Sequence, residues 1–583
     1  MKIKKKLAII GVGPRGSMAF ENLVIEFCSQ NALKNCSISL YEKSNHPGSG
    51  PIYRANQPDA NWMNVSHRFL ELGAREKIES NELGITVEAF PTYHEWITKK
   101  NITIDDNIDV YPRRSFVGNY LQERFQSLFR PLQVKGIVDL KKDLVQKISL
   151  CDGQVEILAK EGTSYMYDEV LLTIGHQSTK IDEQMQSWKN FITENKLEEN
   201  LHLFTNPYPL SQYLECDYIN ENTTIAVRGF GLSTIDIIRA VSEKIGKLEI
   251  VDDTTRATKF ICSGKYKNLF APFTLEGLPP IPKPLNKIID NQFSPRPEHL
   301  ESLKNQLSDK SIQRKARGAV FLTQAMVPII AEMYLNLENN NNLNCLSKQE
   351  IEEVLTNFLK DEKFTHQVLT NNVSVLNLMK EYVQMSLGET AVSLDYCLGQ
   401  IWRHCQETIY RSLSHNELSA EVFKEIIALD ERLKRYSYGP PVESIQMLIA
   451  LAEKKILNLV FLDNPNINIC ASGWKLRVSD KEITAQLMIN SVLDAPKILE
   501  TETAIIKNLL EDNLVQAAHE DLGVLTNEYA YIFSQKNNST LPVALLGRLA
   551  KGSVIGVDAI LECFGPRSKN WAKQAVLNLL RNK

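Results

Sequence analysis

Two glycine-rich turns are the residues here best suited to chemistry, and the chemistry is the binding of phosphate. Gly11-Val12-Gly13-Pro14-Arg15-Gly16 has the spacing G-x-G-x-x-G directly after an apolar run, residues 7–10. Gly11 suits a tight turn, Gly13 lets backbone approach a pyrophosphate, and Gly16 permits close helix–strand packing. Pro14 fits a first helical turn, where its missing N–H is no loss. Arg15 lies in the same turn, and the helix start behind it offers free amides and a positive dipole end. Glu42, ending the next apolar run, can accept hydrogen bonds from a ribose diol. It stands farther from Gly11 than the roughly 20 residues usual in simple NAD domains, as suits the longer first helix of FAD domains. The set predicts a dinucleotide site; a purely structural glycine turn is the alternative.

The second turn is Gly229-Phe230-Gly231-Leu232-Ser233-Thr234. Thr234 replaces the third glycine, which predicts a looser approach of helix to strand. We assign this turn to NADPH or NADH, against a Rossmann unit that packs and binds nothing. Asp252 and Asp253 favour a free ribose diol, whereas Arg256, Lys259, Lys265 and Lys267 favour a 2′-phosphate, so both cofactors stay open. His176, after Thr173-Ile174-Gly175, is a candidate acid or base because imidazole titrates near neutrality. A structural turn histidine is the alternative. Trp402, His404 and Cys405 are expected to serve core packing and a solvated face. Arg432, Lys434 and Arg435 suit a charged helix face or an anionic substrate. The sequence holds no H-E-x-x-H, G-x-S-x-G or G-x-x-x-x-G-K-[ST].

Elements must position these residues. Residues 7–10 read as a buried parallel strand, residues 14–30 as an amphipathic helix and residues 38–41 as a second strand, which makes a β-α-β unit. A second unit is expected from a strand at 225–227, a helix from about 234 to 244 and a strand at 248–251. The stretch 278–297, rich in Pro and Asn, is expected to cross the surface. Helices are expected from 299 to about 462, with a solvated loop at the Asn-rich run 336–344. Strands at 476–478 and 482–489 follow.

Composition narrows the class. The chain has 583 residues, with 66 Lys+Arg against 70 Asp+Glu and a net charge of -4. At about 150 residues per domain this suggests three or four units. Balanced charge argues against a general nucleic-acid binder. No apolar run is long enough for a signal-peptide core or a membrane span. The ten cysteines, at 28, 36, 151, 216, 262, 345, 397, 405, 470 and 563, are scattered without a C-x-x-C pair. They read as reduced thiols of a cytoplasmic protein and exclude a thiol relay of the disulfide-reductase kind.

The run GVGPRG, followed by LYEKSNHPGSGPIYRANQPDANWMN, resembles the FAD/NAD(P)-binding flavoproteins with an N-terminal FAD-type Rossmann domain. The family's G-x-G segment maps to Gly48 and Gly50, and its Asn to Met63-Asn64. Further similarity runs through Pro112-Arg113-Arg114, Leu172-Thr173-Ile174-Gly175-His176, the second glycine turn with Asp236, Tyr438-Gly439-Pro440-Pro441 and the stretch 552–558 ending in Asp558. The resemblance implies that Gly50, Asn64, Arg114, Gly175 and Asp558 adjoin the cofactor. Arg114 could pair with pyrophosphate, though a surface Arg paired to an acidic neighbour is equally open. Asn64 could bond the flavin or its ribitol, or simply serve a turn.

The expected fold is α/β, with two Rossmann-type dinucleotide-binding domains and a large helical region. The expected divisions are an FAD domain at 1–215, an NAD(P)-type domain at 216–290, a helical domain at 291–462 and a C-terminal α/β segment at 463–583. By the resemblance, the function is FAD-dependent oxidation with NADPH or NADH, as a monooxygenase of a small polar metabolite such as an amine or amino acid. A flavin reductase without oxygen transfer and a non-catalytic dinucleotide sensor are the alternatives. Only a small-molecule partner is expected, with neither nucleic acid nor membrane.

Overall fold

A computed structural model describes residues 4–215, 218–337, 346–370, 374–536 and 538–581. Cys216, Cys345 and residues 338–344 of the Asn-rich run lie outside them.

Alternation builds the first sheet. In the strand Lys5–Ile10, Leu7 and Ile9 join the core on one face while Ala8 and Ile10 join the core on the other, as the two-residue period of a strand requires. The strand pairs in parallel with Cys36–Tyr41 on one side and Glu169–Leu172 on the other. Val138–Lys141 extends the sheet beyond the former, and Thr540–Leu545 beyond the latter, also in parallel. Tyr531–Phe533 closes that second edge antiparallel. A three-stranded antiparallel meander, Val145–Cys151, Gln154–Ala159 and Ser164–Tyr167, fills the crossover from one half to the other. The helix Pro14–Ser29 buries Phe20, Leu23, Val24 and Phe27 in one core with Trp571, Ala575 and Val576 of the C-terminal helix Pro566–Arg581.

The second sheet is wholly parallel, ordered His202–Phe204, Leu487–Asn490, Ile225–Arg228, Phe270–Phe273. Two of its four strands, at 202–204 and 487–490, come from outside residues 216–290. Ile225 and Val227 face one core and Ala226 another, repeating the logic of the first sheet. The expected strand at 248–251 is present but elsewhere: Gly246–Asp252 pairs antiparallel with Ala257–Cys262 in a hairpin. The antiparallel hairpin pattern won because only four residues separate the two strands, too few for the crossover that a parallel pair needs.

The helices from Pro297–Ser308 to Ala420–Ser437 surround a large apolar core that includes fully buried Trp402 and Cys405, and the helix Val442–Glu453 packs instead into the core of the second sheet. Residues 278–285 do not cross the surface as expected; Pro279, Pro280, Ile281, Pro282, Pro284 and Leu285 are buried. The segment is laced to neighbours by backbone bonds from Ile281 to Arg435, Lys283 to Pro440, and Leu285 to Ser386. Gly439 is required there, since a Cβ would come within 1.6 Å of the Ile281 carbonyl oxygen. Among the described residues, no helix is long and apolar enough to cross a membrane.

Candidate functional site: two glycine turns at the carboxyl ends of parallel strands

The first sheet reverses its winding at the strand Lys5–Ile10. The chain builds outward through Cys36–Tyr41 on one side, then returns to build Glu169–Leu172 on the other. Such a switch point leaves a crevice at the carboxyl ends of the strands, the usual ligand position in open α/β sheets. Gly11–Gly16 and Thr173–His176 flank it. Gly11 has φ +88°, and a Cβ there would lie 2.6 Å from the Thr173 carbonyl oxygen. At Gly16 a Cβ would lie 2.1 Å from the Gly11 carbonyl oxygen. The Thr173 hydroxyl closes the turn by donating to the Ile10 and Gly11 carbonyls at 3.2 and 2.5 Å.

Gly13 differs, since a Cβ there would meet only Gly50 Cα, at 3.8 Å. It caps a helix that has no side-chain cap and carries Pro at its first position, so the first-turn amides are left for an anion. Glu42 sits at the end of its strand, where Oε2 accepts from Val12 N–H at 2.7 Å and Oε1 from Ser44 N–H at 2.8 Å. Each oxygen keeps a further lone pair for a ribose hydroxyl. Gly175 has φ +67° with nothing within 4 Å of a Cβ, so the backbone conformation is what calls for glycine there. These features fit a dinucleotide: backbone crowds backbone at Gly11 and Gly16, and the open side is left to the ligand.

Arg15 turns the other way. Its guanidinium donates to the carbonyls of Val557 and Glu562 at 3.1 and 3.3 Å, tying the C-terminal segment to the turn. That segment carries Asp558, whose carboxylate accepts from Arg548 at 2.6 Å and Lys434 at 3.1 Å. Desolvation works against its charge, but Lys434, Arg548 and Lys551 hold Asp558 well below the usual carboxylate range. His176 lines the same crevice, open to solvent yet crowded by protein. Desolvation and the Arg548 charge push its imidazole down to about 4, so it is neutral and a weak base at pH 7.

In the second sheet, Gly229 has φ +106°, and a Cβ there would lie 2.5 Å from Ser491 Oγ. Thr234 does not loosen the turn as its type suggests. It is fully buried, and its hydroxyl donates to the Gly229 carbonyl at 2.9 Å and meets Ser491 Oγ at 2.7 Å. Gly231 is the reverse of Gly229: a Cβ would meet nothing within 4 Å, and the helix Leu232–Ile245 that it opens has no side-chain cap. Leu232 and Ser233 present first-turn amides to that open side. Asp252 is spent within its hairpin, accepting from Thr254 N–H and the Thr255 hydroxyl, while Arg256 pairs with Asp253 and Glu443.

Arg114 begins the helix Arg114–Val134 and joins the two halves. It donates to the Trp62 carbonyl at 3.1 Å and pairs with Asp236 of the second helix at 3.3 Å. Asp236 also accepts from Tyr208 at 2.7 Å and pairs with Arg239 at 3.4 Å. Burial raises the Asp236 carboxyl, and two guanidiniums oppose that. The acidic neighbour that sequence left open for Arg114 is thus Asp236. Asn64 lies half-buried, with its carbonyl accepting from Lys283. Lys283, Arg68, Asp109, Asp290 and Arg403 form a charged group beside it that no sequence motif announced. His404 is not on a solvated face but bonds Asp290 at 3.2 Å. Lys434 pairs with Glu431 and Asp558, Arg435 donates to the Pro279 carbonyl, and Arg432 to the Leu359 carbonyl.

Comparison with known proteins agrees with the first turn. Residues 8–177 match the model of a family described as FAD-NAD(P)-binding. The chain is 23% identical to the nitrosuccinic acid synthase of Aspergillus oryzae over 273 residues, covering 46% of this chain and 39% of that protein. It is also 23% identical to an L-aspartate N-monooxygenase (nitrosuccinate-forming) of Streptomyces cremeus over 193 residues, 29% of this chain and 28% of that one. The matches thus span well under half the length of either relative. Among solved structures, the reduced ornithine hydroxylase of Pseudomonas aeruginosa overlaps 99% of this chain and 100% of its own, at 10% identity and a TM-score of 0.43. A superposition that loose carries no argument. The turn, the acidic strand end and the family match agree on one conclusion: residues 8–177 form an FAD/NAD(P)-binding domain.

Proposed function

We propose that the chain is an FAD-dependent monooxygenase that consumes NADPH or NADH and oxygenates the nitrogen of a small amine or amino acid, with L-aspartate the first candidate. The observation that carries this is the presence of two sheets, in each of which a parallel strand ends in a glycine turn before an uncapped helix. Partial similarity to two enzymes named for nitrosuccinate formation supplies the substrate candidate.

In this reading Gly11, Gly13 and Gly16 with the first-turn amides hold the FAD pyrophosphate, and Glu42 holds its ribose. Gly231, Leu232 and Ser233 hold the nicotinamide cofactor. Bound flavin, reduced by that cofactor, supplies oxygen activation. The chain's own part is positioning, exclusion of water and control of protons. An amine must lose its proton before its nitrogen can attack, and a desolvated crevice favours the neutral form. The compartment in this reading is the cytoplasm, in keeping with described cysteines that are all free thiols.

The test is aerobic turnover of the purified full chain with FAD, L-aspartate and either NADPH or NADH, read by cofactor oxidation and product mass. A product heavier by one oxygen supports the reading. Cofactor oxidation without that gain favours a reductase, and a chain that stays colourless with added FAD refutes both.

A further inference from the structure

Four separate stretches of chain bring charges together next to Asn64. Arg68 forms a two-pronged pair with Asp109, at 2.9 and 2.6 Å, and reaches Asp290 at 3.3 Å. Asp290 also takes Arg403 and His404. The two carboxylates are therefore committed to Arg68 and Arg403, with His404 beside them. Burial opposes ionisation of Asp290, yet His404 and Arg403 hold it well below the usual carboxylate range. Lys283 alone has no carboxylate within bonding distance. One of its three N–H donors reaches the Asn64 carbonyl, and among the described residues the other two have no acceptor.

Lys283 is only partly buried, so an arriving anion can reach those two donors. The backbone is fixed for that purpose. Lys283 stands between Pro282 and Pro284, whose rings restrict φ, and its own N–H donates to the Pro440 carbonyl at 3.1 Å. The Asn64 carbonyl already holds the Nζ, so less rotamer freedom is left to lose when an anion binds.

We propose that Lys283 is the anchor for a carboxylate of the substrate, seated beside Asn64 and flanked by Arg68 and Arg403. The proposal deepens the monooxygenase reading, on which the word substrate rests. The open charge is single, and Asp109 and Asp290 lie close by, so a carboxylate suits the place better than a phosphate dianion. Desolvation first, and then the Arg403 charge, bring the Lys283 amine down to about 7 in the free protein, with Asp290 and Asp109 opposing. A bound carboxylate favours the ammonium, so binding above neutrality takes up a proton.

The test is calorimetric titration of the oxidised, FAD-loaded full chain at pH 8, without NAD(P)H, using L-aspartate, succinate and 1,4-diaminobutane. The wild type is expected to bind both carboxylates and not the diamine. Titration in two buffers of different ionisation enthalpy is expected to show uptake of most of one proton per succinate. Lys283→Met should weaken succinate at least tenfold, and Lys283→Arg should keep affinity but abolish the uptake, with flavin content and melting temperature unchanged in both. Undiminished binding by Lys283→Met, equal binding of the diamine, or no proton uptake by the wild type would each overturn the proposal. The assay needs no turnover, so binding through Lys283 without oxygenation would sink the monooxygenase reading alone.

Discussion

Replacing Gly231 with alanine separates a glycine kept for a ligand from a glycine kept for the fold. Its φ of -99° and ψ of -160° are open to alanine, and the new Cβ would meet nothing within 4 Å. Alanine is a poorer helix cap than glycine, but it restricts the unfolded chain, and the two opposing effects are each about 0.5–1 kcal/mol. Stability should therefore stay within about 1 kcal/mol of wild type. A pyrophosphate approaching the Leu232 and Ser233 amides would meet the added methyl instead. Loss of one charge-assisted hydrogen bond costs about 1.5–3 kcal/mol, or roughly a ten- to hundredfold rise in the dissociation constant. The assay is steady-state NADPH and NADH oxidation alongside thermal melting and flavin content. A higher KM for the nicotinamide cofactor at unchanged melting is the expected result. Gly229→Ala is the control, because its Cβ would lie 2.5 Å from Ser491 Oγ at φ +106°, so it should lose folded protein. If Gly231→Ala leaves both KM values unchanged, the second turn packs without binding a nucleotide.

Further perturbations test other parts of the structure. Glu169 is buried, accepts from Tyr531 at 2.6 Å and Trp571 at 3.2 Å, and is pushed up to about 8 by desolvation. The folded chain then holds a proton that the unfolded chain releases near 4.5, so wild-type stability falls as pH rises through that window. Glu169→Gln keeps an acceptor for both donors and lacks the titration. Its advantage should grow by about 1.4 kcal/mol per pH step from 5 to 7.5 in denaturation midpoints, and a pH-independent gap would refute the assignment. Asp236→Asn strands Arg114 and Arg239 without a buried countercharge and should cost about 3–5 kcal/mol. The added change Arg114→Met should recover part of that loss in melting temperature; no recovery would show that the pair does not couple the two halves.

The first glycine turn was legible because each of its requirements is local. A strand, a tight turn, a close approach and a helix start all lie within residues 5–29, and Glu42 ends the adjacent strand. The second turn was legible as a turn, but its sheet was not, because the strand that flanks it, Leu487–Asn490, lies far along the chain. Thr234 looked like a defect in the motif, yet its hydroxyl performs the closure by hydrogen bonding. Proline and asparagine marked 278–297 as a surface path, but proline also suits a buried extended segment whose bonds run to other loops. The charged group around Lys283 has no motif because four distant stretches assemble it. Arg114 was legible as a charge in need of a partner, and only the tertiary structure supplies Asp236.

The interleaving of strands has a consequence for how the chain emerges from the ribosome. Glu169–Leu172 keeps an open edge until Thr540–Leu545 appears, and the strand Ile225–Arg228 waits for Leu487–Asn490. At about 5–20 residues per second, the first wait lasts roughly 20–75 s. For that time an apolar strand edge is bare in a nascent chain that cannot yet complete either sheet. The helix Pro566–Arg581, which covers the first helix, comes later still. Neither glycine turn gains its finished support until nearly the whole polypeptide has been made, so production of this protein depends on protection of its unfinished edges during synthesis.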